Sequence, residues 1–287
     1  MNEIIIVLDC NYICYVNKFA LSQGLTYRGN PTEIIFGFLR HINELSRQFQ
    51  SNKFIFCWDS HKSIRKEIYP KYKISRSLNK SEEDIVNDKI AYVQFNELKN
   101  YVLPKMGFEN IFYKDQYESD DIIASIVKNN KIKGKRYVVV SNDSDLYQLL
   151  DDCKMYNISK KCLITKEIFI REYNIEPKRW HLVKAIAGCS TDNVDGVVGV
   201  GEKSSIKYLN GELKTGKKAR DIENANDIFH RNLKLVTLPF DGVGIFNIKM
   251  QEYFLEKNFI AICEEFGFNS FLNQRYLQNW TNQFNMR

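Results

Sequence analysis

Three short apolar, β-rich runs along the chain each stop at an acid. Residues 4–8 read IIIVL and end at Asp9, residues 53–58 read KFIFCW and end at Asp59, and residues 137–141 read YVVVS and lead into Asn142, Asp143, Ser144 and Asp145. Continuous apolar runs of this length are the pattern of strands buried on both faces of a parallel sheet. Helical spacing separates them. Ile122, Ile123, Ile126 and Val127 recur at helical intervals in DIIASIVKN, whose start is marked by Glu118, Asp120 and Asp121. Ser81 caps a long helix over SEEDIVNDKIAYVQFNELKNYVL, with Glu82, Glu83 and Asp84 in its first turn. Asn30, Pro31 and Glu33 supply a cap, a first-turn proline and a capping-box acid for a helix reaching about Arg47. The pattern predicts an α/β fold with a mainly parallel sheet flanked by helices.

From Pro177 the pattern turns mainly helical: WHLVKAIAG, a glycine-rich elbow, KSSIKYL and an amphipathic run at 222–236. A carboxy-terminal stretch rich in Phe, Tyr and Asn reads as core packing. The organisation expected is a unit over 1–175, followed by a helical unit over 176–287 packed back on it. No internal repeat or low-complexity tract interrupts it.

The acids change the picture from architecture to chemistry. Open α/β sheets collect ligands at the carboxyl ends of their strands, so Asp9, Asp59, the 118–121 group and the 143–145 group can point into one crevice. Any one of them has an ordinary explanation, since acids favour the first turn of helices and the ends of strands. The set is harder to explain that way. Carboxylates set this close repel one another unless a cation holds them, and hard divalent ions take oxygen ligands and share them with phosphate.

Charge is uneven in a way that fits. The chain carries 41 Lys and Arg against 35 Asp and Glu, a net +6. Residues 60–80 alone hold Lys62, Arg65, Lys66, Lys71, Lys73, Arg76 and Lys80 against the single acid Glu67, which matches that whole surplus. A cationic patch beside an acidic site suits a polyanion drawn in by its phosphates; a solvated surface loop is the plainer alternative. The seven cysteines form no CxxC pair and the four histidines have no ligand spacing, which argues against zinc. IIIVL meets Asp9 too early to be a leader or a membrane span, so the expected setting is the cytoplasm, with no membrane partner.

The elbow GVVGVGEKSS spans 196–205. Gly196, Gly199 and Gly201 permit tight turns and a close backbone approach to phosphate, and Lys203 adds a point charge. The spacing is not that of a P-loop. A plain helix–turn–helix connection and a DNA-backbone contact both stay open, with nearby Asp192 and Asp195 favouring the second.

These residues together resemble the structure-specific 5′ nucleases, the flap endonuclease and 5′–3′ exonuclease superfamily. The likeness is greatest to bacteriophage members and to the 5′ nuclease domain of bacterial DNA polymerase I. Asp9 matches the family's first acid, and FCWDSHKSIRKEIYPKYKISR at 56–76 is similar to its F-x-x-D…R…P-x-Y-K-x-x-R segment through Asp59, Arg65, Pro70, Tyr72, Lys73 and Arg76. ESDD at 118–121 resembles E-A-D-D, and SNDSDLYQLL at 141–150 resembles S-x-D-x-D-x-x-Q-L. GCSTDNVDGVVGVGEKS at 188–204 resembles G-D-x-x-D-N-x-x-G-V-x-G-I-G-x-K, and FHRNLKLVTLP at 229–239 is like the stretch closing the phage proteins' helical domain.

The resemblance implies a PIN-like core with a helical arch at about 60–100, and a helix-hairpin-helix or helix-three-turn-helix unit with its elbow at 188–204. It implies a monomer that acts on DNA with a 5′ flap, a nick or a free 5′ end. Asp9, Asp59, Glu118, Asp120 and Asp143 are expected at a first Mg²⁺ or Mn²⁺, with Asp121, Asp145 and Asp192 facing a second; a K⁺ is expected at the elbow. Lys73 and Arg76 would neutralise the reacting phosphate, while Lys62, Arg65, Lys66, Lys71, Gly199, Gly201 and Lys203 contact DNA. The expected reaction is 5′–3′ exonuclease and flap endonuclease hydrolysis, leaving 5′ phosphates and 3′ hydroxyls.

One departure bears on this. Cys189 stands where the pattern has a second-site aspartate, with Asp195 nearby as a substitute, and a soft thiol is expected to weaken the second ion or shift its identity toward Mn²⁺ or Zn²⁺. A PIN-like ribonuclease and a non-catalytic DNA-binding homologue are the alternatives.

Overall fold

The apolar runs form the strands expected of them, in a computed structural model that describes residues 3–20, 24–78 and 80–287. Six strands lie in the order Ile111–Tyr113, Phe54–Trp58, Glu3–Asp9, Lys135–Val140, Cys153–Asn157 and Cys162–Ile164. All neighbours are parallel except the last pair. Asp9 sits opposite Cys57 and Leu8 opposite Val140, so Asp9, Asp59 and residues 141–143 leave the sheet at the same edge.

Alternation along each strand feeds two cores. Ile6, Leu8, Phe54, Phe56 and Val140 face one side and pack with Ile13, Phe38 and Leu98 from helices Cys10–Ala20 and Glu33–Phe49 and the turn Leu98–Val102. Ile5, Val7, Ile55 and Val139 face the other, against Ile122, Ile123 and Ile126 of helix Ser119–Asn129. Each fully buried aliphatic or phenyl side chain adds about 1.5–3 kcal/mol, which fixes the strand register and with it the positions of the terminal acids.

The division expected at 175/176 does not separate two cores. Trp180 and Val183 share a core with Phe169 and Leu149, while Phe259, Trp280 and Phe284 fill the opposite one beside Phe54 and Phe108. Helices Glu256–Phe266 and Gln274–Phe284 thus close one face of the sheet, the packing role expected of the carboxy-terminal stretch.

Three boundaries differ from expectation. Asn30 and Pro31 pair with Thr26 and Tyr27 in a short ladder, and helix Glu33–Phe49 begins after Thr32, whose side chain makes no cap. Its cap comes from elsewhere: Gln94 Oε1 accepts from Ile34 N at 2.9 Å. The long helix starts at Ser81 with the expected box, Ser81 Oγ accepting from Asp84 N at 3.1 Å, and runs Glu82–Glu97. It then takes a π turn, Leu98–Val102, just before Pro104, which has no N–H to continue the α ladder. The run at 222–236 divides between helices Lys217–Glu223 and Asn226–Val236. No helix among the described residues is long and apolar enough to cross a membrane.

Candidate active site

Four carboxylates converge where the sheet edge meets helix Ser119–Asn129. Asp9 accepts from Tyr12 N at 3.2 Å, from Ser141 Oγ at 2.9 Å and from Ser119 Oγ at 3.2 Å. Asp59 accepts from Ser119 N at 2.7 Å, and its own N–H donates to Asn11 Oδ1. Asp143 caps the 3₁₀ turn Ser144–Leu149 by accepting from Asp145 N at 2.8 Å. Asp120 occupies the first turn of its helix, within reach of the charges on Asp143, Asp9 and Asp59.

Burial pushes all four up. It raises Asp9 from 3.8 to about 7, with the charge of Asp59 adding to it. Burial, followed by repulsion from Asp143, Asp9 and Asp59, holds Asp120 well above the usual carboxylate range. Asp59 is raised by burial and then by Glu118, and Asp143 by burial and then by Asp145. One divalent cation would reverse these penalties together, and an all-oxygen donor set is what a hard ion takes, so the four residues fit such an ion.

A second group lies beside the first. One carboxylate oxygen each from Asp145 and Asp192 and the Cys189 sulfur all fall within 4.8 Å of one another. Asp145 Oδ1 is buried without a directed hydrogen bond, and Lys184 Nζ at 3.1 Å is its counter-charge. This mixed set fits a cation less well. Burial, then Asp145, raises the Cys189 thiol above its usual range, and its Sγ lies 3.1 Å from Thr191 Oγ1. Asp195, the substitute considered from sequence, is outside the group: its Oδ2 accepts from Tyr69 OH at 3.0 Å.

Cations face the acids from the segment 65–76. Lys73 Nζ lies 2.7 Å from Glu118 Oε2, which also accepts from Tyr72 OH at 2.9 Å. Burial works to raise Glu118, but Lys73 and Arg65 outweigh it and bring the carboxyl down to about 2. Burial likewise opposes the charge on Lys73, while Glu118 and Asp192 more than restore it. Arg76 bonds Asp192 Oδ1 at 2.8 Å, and Tyr72 OH reaches Asp192 Oδ2 at 3.2 Å.

Two expected roles are corrected. Asp121, placed at the second ion from sequence, is fully buried and bonded at 2.7 Å through each oxygen to Arg65. Arg65, placed on DNA, is 2% exposed and has no surface to offer a phosphate. Lys62, Lys66, Lys71 and Lys203 are exposed. With Lys73, Arg76, Lys80 and Lys99, the first two line a cavity of about 430 Å³ between the helix Glu82–Glu97 and the acids Asp59 and Glu118. Lys71 is not part of its lining.

The elbow glycines divide by role. A Cβ on Gly196 would lie 2.1 Å from Ala187 O, so this residue permits two backbone segments to cross. Gly199, at φ +74°, and Gly201 face open space and leave their backbone accessible. Gly201 precedes helix Glu202–Leu209.

Sequence reasoning missed Lys184, 6% exposed at its side chain, which bridges Asp145 and Glu202 at 3.1 Å each. A lone cation on the apolar helix Trp180–Ala187 was the signal available. Lys99 in the cavity wall and Ser119 beside Asp9 were missed as well, and Ser141, which stood in the S-x-D-x-D segment, was given no role although its Oγ donates to Asp9.

Residues 4–174 match the model of the 5′-3′ exonuclease N-terminal resolvase-like domain. A 5′-3′ exonuclease of Buchnera aphidicola subsp. Schizaphis graminum is 31% identical over 252 residues, covering 87% of this chain and 81% of the relative. Among solved structures, the flap endonuclease of bacteriophage T5, with DNA and metal ions, is 21% identical with a TM-score of 0.69, each chain covered over 98%. Flap endonuclease-1 from Methanococcus jannaschii is 14% identical with a TM-score of 0.60, covering 99% of this chain and 93% of that one. These two likenesses establish the PIN-like fold. The family match extends over more than half of the chain and includes every acid of the converging set, so the chain belongs to the 5′–3′ exonuclease family and is a nuclease.

Proposed function

We propose that this nuclease hydrolyses DNA phosphodiesters in 5′ to 3′ direction and at 5′ flaps with the help of divalent ions, leaving 5′ phosphates and 3′ hydroxyls. The observation that carries the reading is the meeting of Asp9, Asp59, Asp120 and Asp143 in one group, with Asp59 in the wall of a basic cavity that Lys73 and Arg76 also line.

Asp9, Asp59, Asp120 and Asp143 would hold one Mg²⁺ or Mn²⁺, and Asp145 and Asp192 a second, weaker ion beside Cys189. When bound, such ions lower the charge on a phosphate and activate water for in-line attack. The remaining work falls to the chain itself. Lys73 stays charged through neutral pH and meets the negative charge that grows on the reacting phosphate; Arg76 stands beside it. Tyr72 fixes Glu118 and Asp192 relative to each other. Lys62, Lys66 and Lys80 line the approach as exposed charges that hold phosphates without reading sequence. The open backbone at Gly199 and Gly201, with Lys203, would take the duplex backbone and the K⁺ that the family resemblance implies. A monomer working on replication and repair intermediates in a reducing cytoplasm fits seven free cysteines.

The test is a panel of flap, nicked, gapped and single-stranded DNA with matched RNA, incubated with Mg²⁺ and then Mn²⁺. Expected are products with 5′ phosphates from flap and nicked DNA. Cleavage of RNA alone would favour the PIN-like ribonuclease, and DNA binding without cleavage the non-catalytic homologue.

A further inference from the structure

Lys73 has a backbone φ of +53°, a left-handed conformation that a lysine does not adopt without support. The support comes from the hairpin formed by Gly188–Cys189 and Val194–Asp195. Lys73 N donates to Asp192 O at 2.8 Å. Two residues on, both Ser75 N and Ser75 Oγ donate to Asn193 Oδ1, at 3.0 and 2.8 Å. Asn193 is itself left-handed, φ +56°, at the hairpin's tip, a conformation asparagine tolerates better than most residues.

We propose that Asn193 is a positioning residue for cleavage: its side-chain oxygen holds the 73–76 turn so that Lys73 and Arg76 face the reacting phosphate. The proposal rests on the reading of those two cations given above. Among the described residues no hydrogen bond links the Asn193 side chain to the acids or to Lys73 Nζ, so its action runs through Ser75 and the backbone. Because the hairpin leads directly into the elbow, the same contact makes the DNA-facing part of the helical unit a determinant of where the two cations stand.

Single-turnover cleavage of a 5′ flap DNA at saturating enzyme, DNA Kd without divalent ions, and Tm decide it. Asn193→Gly keeps the backbone conformation and removes the acceptor; Asn193→Asp keeps the acceptor. Expected is a loss of about 10-fold or more in the single-turnover rate for Asn193→Gly with little change in Kd, and recovery of most of the rate in Asn193→Asp. In a Lys73→Ala background the Gly substitution should cost less than about threefold, because the nearer of the two cations it positions is gone and only Arg76 is left to be misplaced.

Wild-type rates for Asn193→Gly, a loss confined to Kd, or an undiminished loss in the Lys73→Ala background would each overturn the proposal. Should Asn193→Gly lower Tm, Ser75→Ala carries the test, since it removes only the hydroxyl donor: a smaller rate loss is expected, and none refutes the idea. A Lys73→Ala variant that cuts like wild type would overturn the role of the lysine and this inference with it. A wild-type chain that cuts no member of the panel would instead overturn the nuclease reading itself.

Discussion

Arg65 meets Asp121 with both terminal guanidinium nitrogens, each 2.7 Å from a carboxylate oxygen, away from solvent. Arg65 Nε also donates to Leu235 O, and Asp121 Oδ1 accepts from Phe240 N. One ion pair therefore ties the basic segment, helix Ser119–Asn129 and the chain after Asn226–Val236 together. Arg65→Ala leaves a buried carboxylate unpaired and should cost about 3–5 kcal/mol, measured by urea unfolding. Arg65→Lys should recover little, since a point charge cannot make the paired bonds. Normal stability with weakened DNA binding in either variant would return Arg65 to the DNA-contact set.

Asp120→Ala and Asp143→Ala separate catalysis from stability in opposite directions. Each should lower the single-turnover rate by at least about 100-fold, yet raise the Tm of the metal-free protein, because a source of repulsion is removed from a buried cluster. Near-normal cutting by either variant would exclude residues 118–145 as the metal site.

Asp9 sets a pH dependence whose sign follows from its shift. Its folded value of about 7 lies above the ordinary 3.8, so between those values the native state binds the extra proton. Stability of the metal-free protein should therefore be greatest below about pH 4 as far as this group is concerned, and fall as pH rises to about 7. Glu118, held at about 2, works the other way at lower pH, its contribution being lost as pH falls from the ordinary 4.5 toward 2. Divalent ions compete with the proton on Asp9, so the Tm gain on adding Mg²⁺ should grow from pH 6 to pH 8; a gain independent of pH would place the ion elsewhere.

Cys189→Asp replaces a protonated thiol with a hard oxygen in the group with Asp145 and Asp192. Less Mg²⁺ should then be needed for half-maximal cutting, with a smaller gain in Mn²⁺. If the metal dependence stays unchanged while Tm drops, Cys189 is packing and the second site is built from other atoms.

Lys62 is exposed in the lining of the basic cavity. Lys62→Ala should weaken DNA binding and reduce the slope of log Kd against log salt by about one, leaving the single-turnover rate at saturation intact. A rate loss without a change in slope would place this lysine at the reaction instead.

Strand positions and the acids that end them were legible because each apolar run is buried on both faces and stops where the sheet stops; Asp9, Asp59 and Asp143 follow from that alone. Asp120 and Asp121 show the limit. Adjacent residues in one helix turn point about 100° apart, and which of them meets the crevice depends on Arg65, a partner 56 residues away. The sequence presents both as equivalent acids. Likewise Gln94 caps a helix 60 residues earlier, a contact that local capping rules attribute to Asn30. Contacts of that range belong to the tertiary arrangement, and no spacing within either segment encodes them.

The closing of one sheet face by residues 254–286 has a consequence for the order of synthesis. Asp9 is made well before Phe254 and Phe284, so Phe54 and Phe108 lack these two neighbours until synthesis has passed residue 284. A nascent chain shorter than this carries all the acids and cations of the site on a sheet whose one face has helices Cys10–Ala20 and Glu33–Phe49 against it but lacks the aromatic side chains of residues 254–286. Full packing of the sheet face behind the acids is thereby deferred until residues 254–286 have been made.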